Sequence, residues 1–312
     1  MNIVCFFTML SRPKINKPDS IRPRLQRELG RLAKDFTHIE PFGSDGTYHA
    51  VLKNGHRVLI TVNVPGERRD LTAVGGQMEI FRARQTGRSK WLVPMVLWEY
   101  TTPHILAQTY LKQPTLADIF CRRAPSGAAK KYIVRYLLSW FVDQLCVSGH
   151  FLAHPGLDDF FIAPGKGVGC NNFLAVGWLE PKERRLLAAL LFALLKGERA
   201  LAVKIILAGH YRLVHPHHTH KSGLHLTGQP GNTIAKELQA ILNAGEDGNI
   251  IIPASLVAAA AAWRGLEIMI NTFDEEADLE GNLLAILQGQ LPLIFKLKKD
   301  ATPKEVAALV MS

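Results

Sequence analysis

The sequence predicts an α+β protein in two parts, a small part built on an antiparallel sheet and a larger helical part. Three observations predict this. Asn54-Gly55 stands between two β-rich runs, the pairing that favours a tight type I′ hairpin. Val58, Ile60 and Val62 alternate with Leu59, Thr61 and Asn63, the period of a strand with two distinct faces. Beyond Gln113 the apolar residues recur at helical spacing in long segments. A chain of 312 residues, 47% apolar, is long enough for two ordinary domains or one larger two-lobed unit.

Taken in order, residues 1–19 read as a flexible leader, with Lys, Arg and Pro following an apolar opening. From Ser20, "SIRPRLQRELGRLAKDF" carries a helix signature: Ser20 as cap, Pro23 in the first turn, and Leu25, Leu29, Leu32 and Phe36 at helical spacing opposite a basic face. The hairpin follows, then a helix near 67–84. "VPMVLWEYT" and "HILAQTYL" read as two further strands, separated by a turn at Thr102-Pro103. A boundary is expected between 112 and 113, giving a small lobe over 20–112 and a helical lobe over 113–312. Thr115 is expected to cap the helix of "TLADIF". "AAKKYIVRYLLSWFVDQLCVSG" reads as a long helix ending at Gly149, and 180–209 as two helices opened by Glu180-Pro181 and divided near Lys196-Gly197. Residues 232–310 read mostly as helices. "IIPASLVAAAAAW" is the most membrane-like stretch, but it is too short to span a bilayer and reads as a buried helix.

The net charge of +10 suits contact with acidic partners such as nucleotides, nucleic acid or an anionic membrane. The four cysteines are scattered and form no C-x-x-C pair, so a reduced compartment is expected. No signal-peptide pattern opens the chain. The expected location is cytoplasmic, with peripheral membrane contact as a further expectation.

The order hairpin, helix, strand, strand, linker, helical lobe is that of a protein-kinase-like fold. Three strings sharpen it. "VLKNGHRVLITVNVPG", "VPMVLWEYTTPHILAQTYL" and "LAVGWLEPKERRLLAALLFALLKGERALAVKIILAGH" resemble, in order and spacing, segments of the UbiB/AarF family of atypical kinase-like proteins. The resemblance covers about residues 36–210, and the remaining helical tail is divergent. It implies a two-lobed kinase-like fold, with family members associated with isoprenoid quinone (ubiquinone) synthesis and membrane lipids.

Phosphoryl transfer needs a lysine on the phosphates, a glutamate to orient it, a loop aspartate, and an asparagine and a second aspartate for Mg²⁺. Carried over from the family, the V-A-V-K lysine falls on Thr61 of "VLIT". The helix glutamate falls near Val74 when "EIFR" is aligned by its Phe and Arg. The loop H-A-D-P-H-P-G-N falls on "LAHPGLDD", with Leu152 at the His, His154 at the Asp and Asp159 at the Asn. The D-F-G triplet falls on "AVG", so Ala175 stands at the metal-binding Asp. Threonine, valine and alanine supply neither the cation nor the carboxylates. The resemblance therefore implies a degenerate member, a pseudokinase with no cofactor assigned. Its expected partner is a lipid or a protein, an active kinase-like homologue being one form of the latter.

Other features have a bland reading beside a functional one. Asp158 and Asp159 could bind Mg²⁺ in a divergent ATPase or kinase using ATP, with His154 as base, but paired loop acids commonly cap turns. Gly43, Ser44 and Gly46 form a weak nucleotide loop, or simply a hairpin loop. Lys53, before the hairpin turn, is expected to face solvent. The His-rich run 210–225 fits no standard zinc spacing and reads as a polar loop. Basic clusters at 12–34, 82–90, 122–135 and 296–299 lack interleaved aromatics, so a nucleic-acid-binding module ranks last. The first basic helix either packs its leucines on the small lobe, the preferred reading, or lies on an anionic membrane.

Overall fold

The computed structural model describes residues 21–42, 46–63, 66, 69–83, 92–122, 125–163, 167–211, 233–247 and 252–311. The leader, Ser20 and most of the His-rich run lie outside the described residues. The chain divides into two compact units, one drawn from 1–124 and 157–174, the other from 125–156 and 175–312.

In the first unit, α1 (Arg22–Leu29) carries Pro23 in its first turn and ends at Gly30, which takes a φ of 56°. That left-handed residue breaks the single helix expected through Phe36. A 3₁₀ segment follows over Gly30–Asp35, and Phe36 instead opens β1 (Phe36–Pro41). β1, β2 (Thr47–Leu52), β3 (Arg57–Val62) and β4 (Ile105–Thr109) form one antiparallel sheet in that order. Ile21, Leu25 and Leu29 pack into one core with Phe36, Ile39, Tyr48, Ala50, Val58, Ile60, Val62 and Ile105. The preferred reading of the helix holds for Leu25 and Leu29. It fails for Leu32, which is 40% exposed because the helix has already ended.

The β2–β3 connection is a hairpin, but not a type I′ turn. Asn54 keeps a negative φ and only Gly55 is left-handed, at 83°. The Gly55 N–H donates to the Leu52 carbonyl at 2.9 Å, and the Asn54 side-chain oxygen accepts from the His56 N–H at 3.0 Å. An Asx contact thus supports the longer loop. Lys53 reaches solvent and Asp35, at 3.2 Å.

α2 (Leu71–Ala83) follows where a helix was expected. The expected strand over 93–101 is absent. That stretch makes an isolated bridge at Val96 and a 3₁₀ turn at Trp98–Tyr100. Pro94 has no N–H to offer a ladder, and the segment joins β4 irregularly, through Thr109 N–H to the Met95 carbonyl and Leu97 N–H to the Ala107 carbonyl. α3 (Leu116–Arg122) opens on a reciprocal cap: Thr115 Oγ1 accepts from the Asp118 N–H and the Asp118 carboxylate accepts from the Thr115 N–H, both at 3.1 Å. β6 (Phe160–Ala163) and β7 (Gly167–Cys170) form a hairpin in the same unit.

In the second unit, α4 (Gly127–Val142) continues into a π-helical turn, Asp143–Ser148, closed by left-handed Gly149. β5 (His150–Leu152) pairs with β8 (Val176–Trp178). α5 (Pro181–Leu195) starts at a Glu180–Glu183 capping box with Pro181 behind it. α6 (Arg199–Tyr211), α7 (Ile234–Asp247), α8 (Ala254–Phe273), α9 (Leu279–Phe295) and α10 (Pro303–Met311) complete it. α5 is buried continuously from Leu186 to Leu194, so it forms the axis of this core. α8 takes in the membrane-like stretch from Ala254 onward and runs on through Arg264. Among the described residues no helix is long and apolar enough to cross a membrane.

Candidate functional site

Thr61 lies on β3 opposite Thr47 of β2 and Leu106 of β4. Its strand neighbours Val58, Ile60 and Val62 enter the core, so Thr61, with Leu59, belongs to the other face. A half-buried, β-branched residue suits that ladder position. On the same face Leu59 stands between His49 and Gln108. His49 Nδ1 lies 3.0 Å from Glu40 Oε1, and its ring meets Tyr110 edge-on at 4.6 Å. His38 approaches the other oxygen of Glu40 at 3.4 Å. Hydrogen bonds from these two imidazoles hold the Glu40 carboxyl below the ordinary range. His49 Nε2 is buried without a hydrogen-bond partner among the described residues.

α2 begins where Asp70 accepts from the Thr72 and Ala73 N–H groups. Leu71, Val74, Met78 and Phe81 are its buried stripe. Val74 is therefore a core residue, 8% exposed. Glu79, the acid in the string that sets the alignment, pairs with Arg82 on the same helix at 3.4 Å. Gln77, one turn beyond Val74, has a buried side-chain oxygen with no partner among the described residues. Sequence reasoning passed over it, because a glutamine within an apolar-faced helix carries no signal of burial.

Asp158 and Asp159 occupy the turn before β6. Asp158 stays exposed, yet partial desolvation and then the charge of Asp118 push its carboxyl upward. Asp159 accepts a hydrogen bond from Asn172 Nδ2 at 2.7 Å, and its carbonyl accepts from the Asn171 N–H at 3.0 Å. Asn172 also accepts from the Leu174 N–H at 3.1 Å, and Gln108 Nε2 donates to the Asn171 carbonyl at 3.2 Å. Asn172 is thus the hub of this turn. Only the string "CNNF" hinted at it, and asparagines in loops are too common to single out. Burial holds the neighbouring Cys170 thiol well above its ordinary range. Among the described residues no three His, Cys, Asp or Glu side chains are grouped to hold a metal. Gly43 and Ser44 lie outside the described residues. Gly46 is left-handed, at 81°, and its carbonyl accepts the Val62 N–H at 2.8 Å, a turn role in itself.

In the second unit the β5–β8 ladder brings Leu152 and Ala175 onto neighbouring strands. Leu152 pairs with Val176, and the Ala153 N–H donates to the Ala175 carbonyl at 2.9 Å. Leu152 is buried; its N–H donates to Gln144 Oε1 at 3.1 Å. His154 and Ala175 are exposed. Gly177, opposite Phe151, has no room for a side chain: a Cβ there would meet Phe151 Cζ at 2.1 Å. Desolvation alone lifts Asp143, on the π-helical turn, to about 6.

With the geometry in place, the comparisons give the chain its kin. Residues 69–206, somewhat under half of the chain, match the ABC1 atypical kinase-like domain. An uncharacterized protein of Synechocystis sp., slr0889, is 28% identical over 234 residues; the match takes in 56% of this chain and 57% of that protein. Among solved structures, Rv3197 of Mycobacterium tuberculosis, determined with erythromycin, aligns over 86% of this chain and 81% of its own, at a TM-score of 0.57 and 13% identity. The kinase domain of maize SIRK1 bound to AMP-PNP aligns over 91% and 94%, at a TM-score of 0.37 and 13% identity. The antiparallel sheet, the helical remainder and the match over residues 69–206 together support an ABC1/UbiB-type atypical kinase-like family for this chain, and its fold is kinase-like α+β.

Proposed function

We propose that this chain is a non-catalytic member of its family, a pseudokinase that acts by binding a lipid or protein partner in isoprenoid quinone or membrane-lipid metabolism. The observation that carries the reading is Ala175. A methyl group has no ligand atom, and the Ala175 carbonyl is already engaged by the Ala153 N–H. Two more positions support it. Val74 is packed in the core of its unit, where a carboxylate would be desolvated, and Thr61 offers a hydroxyl in place of a cation. These residues do not fit Mg²⁺–ATP handled in the family manner. The pathway rests on the family relationship alone.

The competing reading is a divergent Mg²⁺-dependent ATPase or kinase built on Asp158 and Asp159. Against it, Asp159 is tied to Asn172, and Asp158 is disfavoured as an anion by its own surroundings. The test is ATP binding with and without Mg²⁺, followed by phosphate release. The expected result is no Mg²⁺-dependent turnover, with wild type and Asp159→Ala rescuing a deletion strain equally. Mg²⁺-dependent hydrolysis that disappears in Asp159→Ala would overturn the proposal.

A further inference from the structure

Helix α4 has two unlike sides. Ile133, Val134, Leu137, Leu138 and Phe141 are buried in the second unit. The other side carries Lys131, Tyr132, Arg135 and Tyr136, two i, i+4 pairs that share one face. Lys131, Tyr132 and Arg135 are exposed and Tyr136 is half-buried. Tyr132 is 59% exposed, so the basic run 122–135, expected to lack interleaved aromatics, holds one near its end. The two tyrosine rings lie 5.8 Å apart. Neither Lys131 nor Arg135 pairs with an acidic side chain among the described residues.

The opposite charge stands beside this stripe. α8 ends at Phe273, and the turn from there into α9 holds five acids in the seven residues 274–280. Asp274 lies 3.9 Å from Lys130 Nζ, which ties the turn to α4, and α9 packs on the same helix. The Asp278 carboxylate caps α9, accepting the Gly281 N–H at 2.9 Å. Glu275, Glu276 and Glu280 are exposed and pair with no cation among the described residues. Two unpaired cations flanking a tyrosine pair thus adjoin three unpaired carboxylates.

A polyanion would gain from Lys131 and Arg135 and be repelled by the carboxylates next to them. A partner that carries both signs meets no such repulsion, and this chain offers that surface itself. A two-fold axis between stripe and turn lays the stripe of one copy on the turn of the other, and the reverse. Tyrosine and arginine concentrate binding energy at the centre of interfaces, while charge pairs around them fix orientation. We propose that the 131–136 stripe of α4 and the acidic turn 275–280 form a self-complementary interface through which two copies of this chain associate, with Tyr132 at its centre. The contact repeats between copies the chemistry of the Lys130–Asp274 pair within one. It does not depend on whether the chain is catalytic.

The experiment is sedimentation velocity of the full chain over a concentration series, with far-UV circular dichroism checking that each variant is folded. Wild type should pass from monomer to dimer as concentration rises. Lys131→Glu/Arg135→Glu and Glu275→Lys/Glu276→Lys, all at exposed sites, should each weaken the dimer by on the order of 100-fold. Each reversal places like charges together twice, once on either side of the axis. Mixed in equal amounts, the two variants should associate again, since each supplies the charge the other lost. Tyr132→Ala should weaken the dimer at least about 30-fold. Lys298→Glu/Lys299→Glu, reversed beyond the far end of α9, should dimerise as wild type does. A wild type that stays monomeric, a dimer indifferent to Tyr132→Ala or to either reversal, or reversed chains that fail to associate when mixed would each rule the interface out. A single-stranded oligonucleotide that binds a monomeric chain, and is lost in Tyr132→Ala, would assign the stripe to nucleic acid instead.

Discussion

Gly177→Ala tests whether this glycine is retained for packing. Its position in the β5–β8 ladder gives it a purely structural reason to stay. A Cβ at 177 would lie 2.1 Å from Phe151 Cζ and 2.6 Å from both Cε atoms. Phe151 is fully buried, so its ring has no free space to swing into. Relief must come from displacing the ring or opening the ladder, an overpacking cost of roughly 2–3 kcal/mol. For a protein of this size that lowers the melting temperature by about 4–12 °C. Gly76→Ala is the control. Nothing lies within 4 Å of a Cβ there and the residue is inside α2, so the change should stabilise by about 0.5–1 kcal/mol. The assay is thermal unfolding followed by circular dichroism and by tryptophan fluorescence, since more than one transition is expected of two compact units. If Gly177→Ala melted with wild type, the packing explanation of this glycine would be wrong.

Asp143 has a folded pKa near 6, raised by burial above its unfolded value, so its anion is disfavoured in the fold. The sign follows: stability falls as pH rises from about 4 through 6, by on the order of 2–3 kcal/mol, and Asp143→Asn should flatten that part of a pH-dependent urea denaturation series. Glu40 behaves oppositely. Its folded pKa is depressed by hydrogen bonds from His38 and His49, so its contribution is present above the unfolded value and is lost as pH falls through the folded one. Glu40→Gln should remove that acid-side loss in the same titration. Leu25→Ala empties part of the core between α1 and the sheet and should cost about 2–4 kcal/mol in urea unfolding, whereas Leu32→Ala should cost well under 1 kcal/mol.

The fold was legible where local chemistry decides alone. The Thr115 cap, Pro181 behind Glu180, and the stop at Gly149 all rest on backbone groups that a few neighbouring residues satisfy. It was less legible where one residue redirects a long pattern. Gly30 converts the end of a helical repeat into a 3₁₀ turn and a strand, and Pro94 turns an apolar strand signal into an irregular edge. The candidate site divides in the same way. The residue type at an expected position, Ala175 or Thr61, can be read directly from a string. The contacts a polar side chain makes cannot: Gln77 and Gln144 each bury a polar atom with no partner among the described residues, and Asn172 gathers the turn around Asp159.

The expected catalytic positions Ala175, Thr61 and Val74 do not stand alike toward a charged side chain. Ala175 is exposed and contributes its carbonyl to the ladder, so a carboxylate could be placed there with little cost to the fold. Thr61 is half-buried on a sheet face, where a long side chain could lie along its apolar neighbours and carry its charge outward. Val74 is different. It belongs to the buried stripe of α2 with Leu71, Met78 and Phe81, and a glutamate there would be desolvated before it met any cation. A charged side chain is therefore tolerated at 175 and at 61 and opposed by packing at 74.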